Sequence, residues 1–155
     1  MRRRRVLVAS GALGAVLGAV LGCRAAPARA VPAPAQAQEA MRKLVGLAAI
    51  NPGRVTLDLA PLVENGNSVP LAISVDSPMT EADHVKAIHV YAEKNPQPYV
   101  AVFHIGPRAG RASVATRIRL ADTQTVIAVC EMSDGTFWSG SADAVVTLAA
   151  CVEPG

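Results

Sequence analysis

Aromatic side chains are scarce: one Trp, two Tyr and two Phe in 155 residues. Any core must therefore be built from Val, Ile, Leu and Ala. Acidic residues are missing from the N-terminal quarter, since none precedes Glu39, while six of the 15 basic residues lie at or before Arg29. The formal charge of +3 belongs to that segment. Without residues 1–30, nine basic residues face 12 acidic ones, a balance of −3. The basic sequence pI thus says nothing about nucleic acid, and no basic tract is left to bind it. Only three histidines occur, His84, His89 and His104. His89 and His104 fall in strand-like stretches, but no third or fourth ligand stands at metal-site spacing, so no metal is expected. No Ser-His-Asp arrangement, phosphate loop or spaced carboxylate pair is present.

The chain also lacks an apolar run of the roughly 20 residues that span a bilayer. Its longest, Val6 to Leu21, has 16 residues and follows Arg2 to Arg5. With Ala28-Arg29-Ala30 behind it, this is the build of a cleaved export signal, and Ala35-Gln36-Ala37 offers a second cleavage site. Arg3-Arg4-Arg5-Val6-Leu7 fits a twin-arginine signal loosely, so both export routes stay open. Val20-Leu21-Gly22-Cys23 offers a rival reading as a lipoprotein box, although Leu21 is not the usual small residue there. Residues 1–30 are read as the signal, 31–38 as a disordered Pro/Ala/Gln linker, 39–148 as the folded domain and 149–155 as a C-terminal arm carrying Cys151. The protein is expected in the periplasm.

What remains is rich in alternation. QEAMRKLVGLAAI (38–50) is expected to form a short helix, because Met41, Leu44, Val45 and Ala48 fall at i, i+3, i+4, i+7. Asn51-Pro52-Gly53 then breaks it. Beyond lie strand-like stretches at 55–60, 69–76, 85–93, 99–105, 111–121 and 125–132. Further strand character follows from 136 to 150. Asn65-Gly66 reads as a turn with positive φ, and Ser133-Asp134-Gly135 as a tight hairpin. Seven or eight short strands with such spacing predict an all-β fold, an immunoglobulin-like antiparallel β-sandwich with a short N-terminal helix and a mobile C-terminal tail. Arg117 and Arg119 point away from the core face of their strand and suit either solvent, an anion or an acidic partner. One of Phe137 and Trp138 should face the core, leaving the other as an interface anchor.

Two cysteines follow the leader. Cys130 shares a strand face with Val126, Ala128 and Met132, which reads as a buried apolar position. Cys151 stands after the last alternation, with only Val152, Glu153, Pro154 and Gly155 beyond it. A 130–151 disulfide, an idle thiol, an intermolecular disulfide and a thiol offered to other proteins all remain open. Nothing basic lies close to Cys151 in sequence, and an ordinary thiol is only a few per cent ionised at neutral pH. A carrier thiol needs reach instead, with activation supplied by its partner.

ENGNSVPLAISV (64–75), HVKAIHVYAEKNPQPYVAVFHIGPRAG (84–110), ATRIRLADTQTVIAV (115–129), MSDGTFW (132–138) and the terminal cysteine segment together resemble the SoxY family, the sulfur-carrier subunits of thiosulfate oxidation. The resemblance covers nearly all of the chain after the leader. It implies an immunoglobulin-like fold and a heterodimer with a second sandwich protein, SoxZ. It further implies a carrier that is not itself an enzyme and uses no cofactor, with Cys151 carrying the cargo covalently. SoxAX would couple thiosulfate to it, SoxB would remove sulfate, and in some organisms SoxCD would oxidise the remaining sulfur. The family's ending is Gly-Gly-Cys-Gly-Gly; here it is Ala149-Ala150-Cys151-Val152-Glu153-Pro154-Gly155, so only the cysteine carries over.

Overall fold

The structure, a computed structural model, describes residues 35–150. The leader, with its candidate cleavage sites and Cys23, and the last five residues, with Cys151, lie outside the described residues. A single helix, α1 (Ala35–Val45), precedes nine strands: β1 (Ile50–Pro52), β2 (Val55–Leu59), β3 (Leu62–Val63), β4 (Val69–Val75), β5 (Val85–Ala92), β6 (Tyr99–His104), β7 (Ala112–Ile118), β8 (Gln124–Met132) and β9 (Phe137–Val146). One sheet runs β1-β9-β8-β5-β6, with β3 also on β9; the other runs β2-β4-β7. The two pack as a sandwich of the expected class.

Alternation explains the packing. β4 reads buried at Val69, Leu71, Ile73 and Val75, and exposed or half-exposed between them. β8 presents Val126, Ala128, Cys130 and Met132 to the same core. β5 is buried along nearly its whole length, on both faces, because α1 covers the outer side of its sheet. Tyr91, Val129 and Phe137 form a second, smaller core there, against Ala40, Met41, Leu44 and Val45 of the helix. Gly140 sits where β2 crosses β9. A Cβ at this position would collide with the carbonyl of Val55, so glycine is what lets the sheets approach this closely.

The structure departs from expectation in several places. The helix starts at Ala35 and stops at Val45, not 38–50, so residues 35–38 of the expected linker are helical. Gly46, at φ +61°, closes it, its N–H bonded to the Arg42 carbonyl at 2.9 Å; this is the left-handed C-terminal stop that glycine permits. Asn51-Pro52, taken for a helix breaker, belongs to β1, where Pro52 occupies the sheet edge that its missing N–H tolerates. β1 and β3 were too short to show alternation. Both pair with β9, and both do so in parallel, within an otherwise antiparallel fold. The last strand is continuous from Phe137 to Val146 and ends four residues earlier than the apolar pattern suggested.

Candidate functional site

The site is the end of β9 and what holds it. Val146 N–H donates to the Thr123 hydroxyl at 3.0 Å, and Thr147 N–H to the Val63 carbonyl at 3.0 Å. The Thr147 hydroxyl donates to the Glu64 carbonyl at 3.1 Å. Gly66 then forms the hub. Its N–H donates to the Leu148 carbonyl at 2.7 Å, and its carbonyl accepts from Leu120 N–H at 2.8 Å. The Leu120 carbonyl in turn accepts from Ala150 N–H at 3.0 Å. Three chain segments are thereby laced together by main-chain bonds. Ala150 is only 6 % exposed.

The Glu64-Asn65-Gly66-Asn67 turn is shaped by its own side chain: Asn65 Oδ1 accepts from Asn67 N–H at 2.9 Å, a local turn that Asn favours. Gly66 is not at positive φ, contrary to the expectation for Asn-Gly. Its reason is space. A Cβ would collide with the Leu120 carbonyl and lie 2.9 Å from Ala150 N.

Ala149 and Ala150 were assigned to the mobile arm. That assignment is corrected for Ala150, which is bonded and buried. Cys151 is the next residue in the chain, one Cα–Cα step of about 3.8 Å from an anchored atom set.

Cys130 is a different thiol. It is fully buried in the main core, and burial pushes its pKa up to about 12, so it stays protonated and inert. It makes no disulfide among the described residues; its thiol leans on the Met132 sulfur at 3.6 Å. The 130–151 disulfide involves Cys151, which lies outside the described residues.

The remaining sequence candidates are placed as follows. His89 and His104 lie on the paired strands β5 and β6, with His104 opposite Ala87 and His89 opposite Val102. No group of three or more metal-ligating side chains gathers among the described residues. His89 Nδ1 is 3.0 Å from the Tyr99 hydroxyl. Phe137 is buried under α1, while Trp138 packs half-buried on the main core with the Arg54 guanidinium over its ring at 5.1 Å. Phe137 is thus the one of the pair that faces away from the main core, and Trp138 the one packed on it. Arg117 and Arg119 are exposed and line a cleft beside the Asn95–Gln97 turn. Sequence reading passed over Leu120 and Thr147 as part of the site, since their role is played by main-chain groups and a single hydroxyl.

Fold and site together define a class: an immunoglobulin-like sandwich with a cysteine directly after an anchored C-terminal strand. The family described as sulfur oxidation protein SoxY matches residues 25–151, and the chain belongs to that family. Among solved structures it is similar to the sulfur carrier protein SoxY from Chlorobium limicola f thiosulfatophilum, at 23% identity and a TM-score of 0.62, covering 73% of this chain and 97% of that one. It is also similar in fold to a superoxide reductase (neelaredoxin) from Ignicoccus hospitalis, at 14% identity and TM-score 0.54, covering 61% and 80% of the two chains. A superoxide reductase from Nanoarchaeum equitans gives 12% identity and TM-score 0.52, covering 61% and 99%. These likenesses establish the fold. No match is found among curated proteins.

Proposed function

We propose that this protein is a periplasmic covalent sulfur carrier, not an enzyme, and that Cys151 is the atom-bearing residue. The observation that supports this most directly is positional. The family match ends on Cys151, and Cys151 follows immediately on Ala150, which is anchored. The only other cysteine in the folded domain is buried and protonated.

The chemistry is carried by partners. Thiosulfate joins the thiol through a new sulfur–sulfur bond, giving Cys–S–S–SO₃⁻, one proton and two electrons; the electrons pass to a heme partner of the SoxAX kind. Water then cleaves the terminal S–S bond, releasing sulfate and two protons and leaving Cys–S–S⁻. A SoxB-like hydrolase suits that step, and a SoxCD-like dehydrogenase any further oxidation of the remaining sulfur. A SoxZ-like sandwich subunit completes the heterodimer. The carrier contributes the thiol, which follows the anchored Ala150 directly in sequence.

A second reading has one observation in its favour. With Ala150 fixed and Val152 and Glu153 beyond the thiol in place of glycines, the arm is short and bulky. A non-catalytic interaction subunit, whose cysteine is idle or forms an intermolecular disulfide, would tolerate that. Cys151→Ser separates the two. In cells dependent on this protein, the carrier reading expects thiosulfate-dependent sulfate production to be abolished while folded protein persists. Undiminished sulfate production would leave only the interaction subunit.

A further inference from the structure

β6 and β7 are the free edges of their two sheets. A cleft of about 490 Å³ opens on this side, lined by Asn95, Pro96, Gln97, Tyr99, Arg117 and Arg119 among others. Its lining includes two arginines and no acidic residue, in a stretch, residues 35–150, whose nine basic and eleven acidic residues sum to −2. Arg117 donates to the Ser68 hydroxyl at 3.3 Å, which leaves most of its fork open. Neither arginine forms an ion pair among the described residues, whereas Lys43, Lys86 and Lys94 each do. Two arginines two residues apart beside one cleft, Arg117 in β7 and Arg119 just after it, suit an oxyanion.

The cleft adjoins the cysteine anchor through a single strand of chain. Asn95 Nδ2 donates to the Arg119 carbonyl at 2.8 Å, and Asn95 Oδ1 accepts from Ala121 N–H at 3.0 Å. Leu120, between them, holds Ala150. Asn95 and Ala150 are thus both bonded to the 119–121 segment.

We propose that the β6–β7 cleft is a sulfur-oxyanion site in which Arg117 and Arg119 hold a sulfonate or sulfate group. As the resting place of the sulfonate end of a cysteine-bound cargo, it rests on the carrier reading; as a site for free thiosulfate, it does not. No bond forms or breaks there. The arginines would keep the charged end of the cargo on the protein between partners.

The test begins with the Cys151→Ser protein, which cannot be loaded. Sodium thiosulfate and sodium sulfate are titrated at constant ionic strength, and arginine side-chain and Asn95–Gln97 resonances are followed by NMR. Saturable shifts confined to these groups, with affinity at least tenfold weaker in Arg117→Gln/Arg119→Gln, are expected. A linear response, or an unchanged one in the double variant, overturns the site. Both arginines are exposed, so the variant should fold. The second arm compares the thiosulfonate adduct of the wild-type protein with its free thiol. Shifts at the same groups assign the site to bound cargo; an adduct verified by mass that leaves them unmoved overturns that assignment. Failure to form any adduct counts against the carrier reading, while the titration still decides the site.

Discussion

Gly66 is the residue on which the site's geometry turns. It bonds Leu148 on one side and Leu120 on the other, and it has no room for a methyl group. Gly66→Ala is expected to destabilise the protein by about 1–3 kcal/mol, as forced overpacking does. The distinctive effect should be local: hydrogen exchange at Leu120 and Ala150 amides should rise far more than at the β5 and β8 amides. Equal change across the sandwich would show that the anchor is not a separable structure. The two cysteines make a second contrast. Cys130, buried with its pKa pushed up to about 12, should resist alkylation in the folded protein at pH 8, and Cys151 should react. Mass spectrometry of peptides should find Cys130 labelled only after unfolding. Labelling of Cys130 in the folded state would mean that the core is open.

At the scale of elements, α1 and the sheet beneath it share a titratable group. His89 lies at the rim of a small cavity with Ala40, Lys43 and Leu44 of the helix and with Tyr91 and Tyr99. Burial holds its pKa below the ordinary 6.5; His104 pushes the same way and Glu131 opposes. As the pH falls through about 6.5, the unfolded chain takes up a proton at this site before the folded one does. The stability His89 supports is therefore whole above that value, and is lost progressively down to the lower folded-state value. Denaturant midpoints at pH 7.5 and 5.5 should drop more for the wild type than for His89→Gln. Equal drops would place the acid sensitivity elsewhere.

The elements also show which parts of the fold were legible. Strands with clear alternation, such as VPLAISV and TVIAVCEM, were placed to within a residue or two, because one buried face imposes a period of two. β1 and β3 were not, since strands of three and two residues have too few positions to show a period. The helix end differs from the sequence pattern because the apolar spacing runs on to Ala48, whereas the helix stops at Val45 and is closed by Gly46, a position without a side chain to weigh in that pattern. The cysteine and the turn that holds its strand were both visible as sequence. Their connection was not, because it consists of main-chain bonds between segments some 55 and 85 residues apart, which no local pattern encodes.

At the scale of the molecule, the sandwich holds the chain that follows its last strand as far as Ala150, by bonds to two other segments, and Cys151, the proposed carrier residue, is next in sequence. Such a mount suits the proposed carrier role. The most direct measurement is the intact mass of the protein recovered from cells supplied with thiosulfate, beside the Cys151→Ser variant. The account predicts reductant-sensitive additions of sulfur or of the thiosulfonate group on the wild type, none on the variant, and none without thiosulfate. A bare thiol, or only a disulfide-linked dimer, under the same conditions would contradict it.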